Sequence, residues 1–200
     1  MSLFEAVIRP LSRVNEAVLK LARAGGIVAM AIMVAVTILQ VFQRYIMNNA
    51  LPWPDEAARF CMMWMTGLMA PTAFRRGGFV AIDFLPMLLP ALLARLLNIV
   101  LLLVSLAVLV VALQIGWREV TGLGGRFASA SLFVPVSLDL SEWYRVPRSW
   151  MMASIPVGLA MLIVVNVELI LRNLAGLAGL RDLPPIPTGD DMETGARGVD

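Results

Sequence analysis

Four apolar runs divide the chain, at residues 25–45, 57–74, 96–117 and 150–171. Each is near the roughly 20 residues that a helix needs to cross a hydrocarbon core, and each is too long for a membrane strand. A helix satisfies its own backbone hydrogen bonds, which a lipid environment demands. The pattern predicts an all-α integral membrane protein with four transmembrane helices. Ahead of the first run, Leu3, Phe4, Val7, Ile8, Leu11, Val14, Val18 and Leu21 recur at helical spacing among Glu5, Arg9, Arg13, Glu16 and Lys20. That periodicity predicts an N-terminal amphipathic helix within residues 1–23. Such a helix lies in the membrane interface or on a partner, or it extends the first span into the cytoplasm. The run behind it is longer than a signal-peptide core and has no small-residue cleavage site, so it reads as an uncleaved anchor. Residues 24–172 then form the membrane domain, and residues 173–200 a cytoplasmic tail, disordered from about residue 184, where Pro184, Pro185 and Pro187 begin a Gly- and Asp-containing end.

Composition agrees with a membrane class. Hydrophobic residues make up 60% of the chain and charged residues 15%, with a mean hydropathy of +0.83. The net charge of +2 comes from scattered basic residues, which gives no support to nucleic-acid binding. Cys61 is the sole cysteine, so neither an internal disulfide nor a cysteine-only metal site is available. The absence of histidine excludes bis-histidine haem ligation and any His-based metal or acid–base chemistry. No P-loop, dinucleotide fingerprint, metal-ligand spacing or nucleophile–base pair stands in the sequence. The reading is a protein that is not an enzyme and has no cofactor of its own.

Lys and Arg give the orientation. The N-terminal arm holds four (Arg9, Arg13, Lys20, Arg23), the connection between the second and third runs three (Arg75, Arg76, Arg95), and residues 51–56 none. This bias places both termini in the cytoplasm. Arg118, Arg126, Arg145 and Arg148 oppose it in the third connection, offset in part by Glu119, Asp139 and Glu142. That connection, residues 118–149, is long and holds interfacial aromatics, so it reads as an interfacial helix or a partner contact.

Charge concentrates between the first two runs. Arg44 closes the first, Trp53 and Pro54 precede the second, and Asp55, Glu56 and Arg59 open it. Both carboxylates sit where the helix dipole favours them, and at spacings of three and four each can meet Arg59. The arrangement reads as a brace between helices one and two, or as a foothold for a partner. Thr37, Gln40, Gln43 and Arg44 share a region of helix one that is expected to point into protein. Pro71 and Pro156 predict kinks. Glu168 has Arg172 four residues on, a spacing that permits a pair. No chain of acids crosses the membrane, so these residues offer no proton path.

The segments Gln40-Val41-Phe42-Gln43-Arg44-Tyr45 and Leu51-Pro52-Trp53-Pro54-Asp55-Glu56-Ala57-Ala58-Arg59, with Trp64, resemble the small membrane subunit, DctQ type, of tripartite ATP-independent periplasmic (TRAP) transporters. Ala73-Phe74-Arg75-Arg76-Gly77-Gly78, Ala81-Ile82-Asp83-Phe84-Leu85 and Arg145-Val146-Pro147-Arg148-Ser149-Trp150 are similar to further family motifs. Two departures stand out: Phe79 occupies a position where the family commonly has histidine, and the connection before helix four is longer than usual. The resemblance implies a multi-pass protein of the bacterial inner membrane. Its partners would be a large multi-helix subunit carrying the sodium and solute sites, a periplasmic solute-binding protein, and the bilayer. Sodium would drive uptake of a solute, typically a carboxylate. The residues proposed for structure and partner contact are Arg44, Trp53, Asp55, Glu56, Arg59, Trp64, Arg75, Arg76 and Asp83. A free-standing small carrier, or a membrane enzyme or electron-transfer subunit, is the competing reading.

Overall fold

The computed structural model describes residues 3–48, 51–76, 90–135 and 143–177. Helix α1 (Leu3–Tyr45) is followed by α2 (Trp53–Arg75), α3 (Ala91–Thr121) and a single turn, α4 (Leu123–Arg126). Strands β1 (Ala128–Pro135) and β2 (Trp143–Pro147) come next, then a short helix α5 (Arg148–Met152) and α6 (Ser154–Leu177). Asp83, Phe79, Gly77-Gly78 and the tail beyond residue 177 lie outside the described residues.

Three helices are long and apolar enough to cross a membrane, over Ile8–Tyr45, Leu93–Thr121 and Arg148–Leu177. Helix α2 has 23 residues, a length of about 35 Å at 1.5 Å per residue. Asp55, Glu56, Arg59 and Arg75 lower its apolarity, and it is not among the three. The fold is therefore mainly helical and membrane-type.

The N-terminal segment is one continuous helix with the first span: α1 passes through Gly25 and Gly26 without a break. Its buried face is Ile8, Ser12, Asn15, Leu19 and Ala22, whereas Val14, Val18 and Leu21 are exposed. Two polar residues thus stand on the packed stripe and three apolar ones face outward. Thr37 and Arg44 are exposed, with Gln40 and Gln43 half-buried, so the polar end of α1 is not directed into this chain's own core. Thr37 returns its hydroxyl to the Met33 carbonyl, 2.7 Å away.

Helices α2 and α6 form the middle of the layer. Helix α1 packs mainly on α2 and also reaches α6, while α3 packs on α6. Only 6% of the apolar window of α1 is buried in the chain, and 6% of that of α3, against 33% for the Arg148–Leu177 segment. The outer helices therefore offer long apolar surfaces to whatever surrounds the chain. The central crossing is close because it is made by glycines. A Cβ on Gly158 would lie 2.6 Å from the Gly67 carbonyl oxygen, and one on Gly67 would lie 2.5 Å from that of Ser154. Small residues that let backbones approach are a usual means of helix association in lipid, where burial alone gives little drive.

The kink expected at Pro156 is instead a helix boundary. The segment divides at Ala153 into α5 and α6, and Pro156 falls in the first turn of α6, where a missing N–H costs nothing. Pro71 is buried inside α2, which continues to Arg75. The connection expected to form an interfacial helix is mainly a β-hairpin. In it β1 pairs antiparallel with β2, Phe133 opposite Arg145 and Val134 opposite Tyr144, with a register irregularity between Ala128 and Phe133. Phe, Val and Tyr suit a pleated pair, and the Arg145 guanidinium lies 5.0 Å from the Phe133 ring centroid.

Candidate functional site

Charged residues gather at both ends of the helical layer. At one end, Glu168 on α6 is fully buried and accepts hydrogen bonds from three residues. Arg75 Nη2 on α2 is 2.8 Å from its Oε1, Arg172 Nε on α6 is 3.0 Å from the same oxygen, and Asn15 Nδ2 on α1 is 2.6 Å from Oε2. Ser12 Oγ accepts from both guanidiniums, at 3.0 Å from Arg75 and 2.9 Å from Arg172. The side chains of Arg75 and Arg172 are 5% and 9% exposed. One carboxylate therefore binds three helices through charge-assisted hydrogen bonds, which are about twice as strong as neutral ones. At the same end, Arg95 on α3 donates to the Gly176 carbonyl, 2.9 Å away, and Asn98 donates to Asn173 on α6 at 3.2 Å. Polar contacts thus connect every long helix to α6.

Sequence spacing pairs Glu168 with Arg172. It gives no sign of Arg75, which is 93 positions from Glu168, or of Ser12 and Asn15, which look like solvent-facing interruptions of an amphipathic stripe. Their separation of three is the signal available, because it puts both on one face. Arg75 is a structural residue of the buried junction. Its neighbour Arg76 is half-buried and donates its backbone N–H to the Thr72 carbonyl at 3.3 Å, closing α2.

At the other end, Glu56 turns from Arg59 toward the hairpin. Its Oε2 accepts the Ser131 N–H and lies 2.7 Å from Ser131 Oγ, which is also 3.0 Å from the Pro52 carbonyl. This fixes β1 onto the start of α2. Asp55 and Arg59 are exposed and form no ion pair with each other, although four residues separate them. Arg44 is exposed and lies 5.9 Å from the ring centroid of its neighbour Tyr45. The brace at this end is thus helix two to hairpin through Glu56, with no Arg44–carboxylate pair among the described residues. Trp53 is half-buried at the first position of α2. Trp64 donates its indole N–H to the Trp150 carbonyl, 3.1 Å away, and so joins α2 to α5.

Between α2 and the hairpin lies a cleft of about 380 Å³, bordered by Asp55, Glu56, Arg59, Ser131 and Arg148. Its charges are of both signs and its rim is open, a character suited to a polar macromolecular surface. Among the described residues no group of three or more His, Cys, Asp or Glu could hold a metal ion, and Cys61 is buried and free.

The family model described as "Tripartite ATP-independent periplasmic transporters, DctQ component" matches residues 33–176. Comparison with curated proteins gives no match. The matched span takes in the Glu56–Ser131 contact, the Gly67–Gly158 crossing and the Arg75–Glu168–Arg172 ion pairs, and leaves Ser12 and Asn15 ahead of it.

Proposed function

The chain belongs to the DctQ component family of tripartite ATP-independent periplasmic transporters, and from that premise we propose that it braces the large transport subunit and helps dock the periplasmic binding protein. It is a transporter component and not an enzyme. The observation that carries the bracing role is the contrast between the chain's interior and its exterior. Inside, buried hydrogen bonds and a glycine crossing hold α1, α2 and α6 as one unit. Outside, α1 and α3 leave almost all of their apolar windows uncovered. A rigid unit with two long apolar flanks is suited to anchoring a larger, moving membrane protein.

In this reading α2 is the fourth span, residues 24–172 are the membrane domain, and both termini lie in the cytoplasm. The hairpin then faces the periplasm, where the cleft beside Arg59 and Arg148 is placed to receive the binding protein. Sodium and the solute, in this family reading a carboxylate, bind on the large subunit. The competing reading, a free-standing carrier, requires that the chain transport solute alone.

Arg59→Ala and Glu56→Ala test the docking role in the assembled transporter. Arg59 is exposed and unpaired among the described residues, so its removal leaves the fold intact. Coupled uptake is expected to fall, with the association rate of the binding protein reduced and less dependent on salt, as for a charge at an interface rim. Glu56→Ala releases the hairpin and is expected to lower uptake further. Normal uptake in both variants would overturn the docking role.

A further inference from the structure

The surface groove between α3 and α6, at their hairpin end, encloses about 560 Å³, within the range of small-molecule sites. Leu113, Trp117 and Val120 on α3 and Pro156, Val157 and Ala160 on α6 give it a mainly apolar lining, with Gln114 and Arg118 as its polar side chains. The groove follows from residue size. Gly116 on α3 faces Pro156, where an added Cβ would be in ordinary contact at 3.7 Å, while the small side chains of Ala153, between α5 and α6, and Ala160 on α6 leave space beside it. Trp117 is 62% exposed. Arg118 is exposed and makes no ion pair among the described residues.

A mainly apolar groove along a membrane span, lined also by an exposed tryptophan and by an arginine with no ion pair among the described residues, has the polarity of an amphiphile lying at the bilayer interface. Tryptophan settles at headgroup level, and a guanidinium pairs with phosphate oxygens through charge-assisted hydrogen bonds. We propose that this groove binds one anionic phospholipid of the surrounding bilayer, its acyl chain along Leu113, Val157 and Ala160 and its phosphodiester at Arg118. The proposal does not depend on the docking role above.

The test uses the membrane complex purified in nanodiscs of phosphatidylethanolamine and phosphatidylglycerol, with retained lipid measured by mass spectrometry after transfer to detergent. The native complex should retain phosphatidylglycerol above its share of the bilayer. Arg118→Gln should lower that retention roughly fivefold, about the weight of one arginine at an anionic lipid surface. Ala160→Trp, which fills the groove, should abolish it, while Val104→Trp on the exposed face of α3 should leave it unchanged. Arg118→Gln leaves the packing intact and so decides the matter if Ala160→Trp does not fold. No enrichment in the native complex, or enrichment equal to native in Arg118→Gln, would overturn the proposal. Loss of the large subunit from Ala160→Trp with lipid retention unchanged would also overturn it, by making the groove a subunit contact.

Discussion

Glu168→Ala is expected to be the most damaging single substitution in this chain. It removes the acceptor shared by Arg75, Arg172 and Asn15 and leaves two guanidiniums 5% and 9% exposed around an empty centre. Breaking a buried pair by removing one partner costs about 3–5 kcal/mol, because the remaining charge stays desolvated. Here two like charges remain, both donating to Ser12 Oγ. The thermal unfolding midpoint of the chain in nanodiscs should fall steeply, and its yield in the membrane with it. Glu168→Gln keeps the shape and one acceptor oxygen, so a smaller loss is expected. Equal midpoints for Glu168→Ala and the native chain would show that the junction is not what joins α1, α2 and α6.

The second large effect is at the glycine crossing. In Gly158→Val the new Cβ falls 2.6 Å from the Gly67 carbonyl oxygen and 2.9 Å from Gly67 Cα. Both are backbone atoms, so no rotamer change relieves the contact and the helices must separate. Overpacking of a close-packed interior costs about 1–3 kcal/mol. Separation also strains the contacts on either side, the Trp64 indole on the Trp150 carbonyl and Arg75 on Glu168. Gly176→Ala is the control, since a Cβ there meets nothing within 4 Å and alanine favours a helix by about 0.5–1 kcal/mol. Unfolding midpoints should fall for Gly158→Val and hold or rise for Gly176→Ala. Equal midpoints for the two variants would show that the Gly67–Gly158 approach is not what the substitution disturbs.

The three helices long and apolar enough to cross a membrane were legible in the sequence, because a long apolar run has one physical solution in lipid. The carboxylates at the start of α2 were legible as important, but their partners were not. Intervals of three and four directed Glu56 and Asp55 to Arg59, whereas Glu56 bonds to Ser131, 75 positions away. Local spacing reports contacts along one helix and carries no information on a strand returning from a distant hairpin. Ser12 and Asn15 were obscured for a related reason. Hydrophobic periodicity assigns polar residues to the outer face, yet a buried carboxylate needs polar neighbours, and these two belong to the inner face because Glu168 is there. Gly67 gave no signal alone; its meaning requires Gly158 opposite it. The hairpin was hidden by composition, since its aromatic residues suit an interfacial helix and a strand pair equally.

Reconstitution tests the central account most directly. Proteoliposomes would contain this chain, the large membrane subunit or both, with the cognate binding protein and solute outside and an inward sodium gradient. Uptake is expected only when both membrane subunits are present, as a stable complex, and none from this chain alone. Solute uptake by this chain alone would contradict it, as would full uptake by the large subunit without this chain.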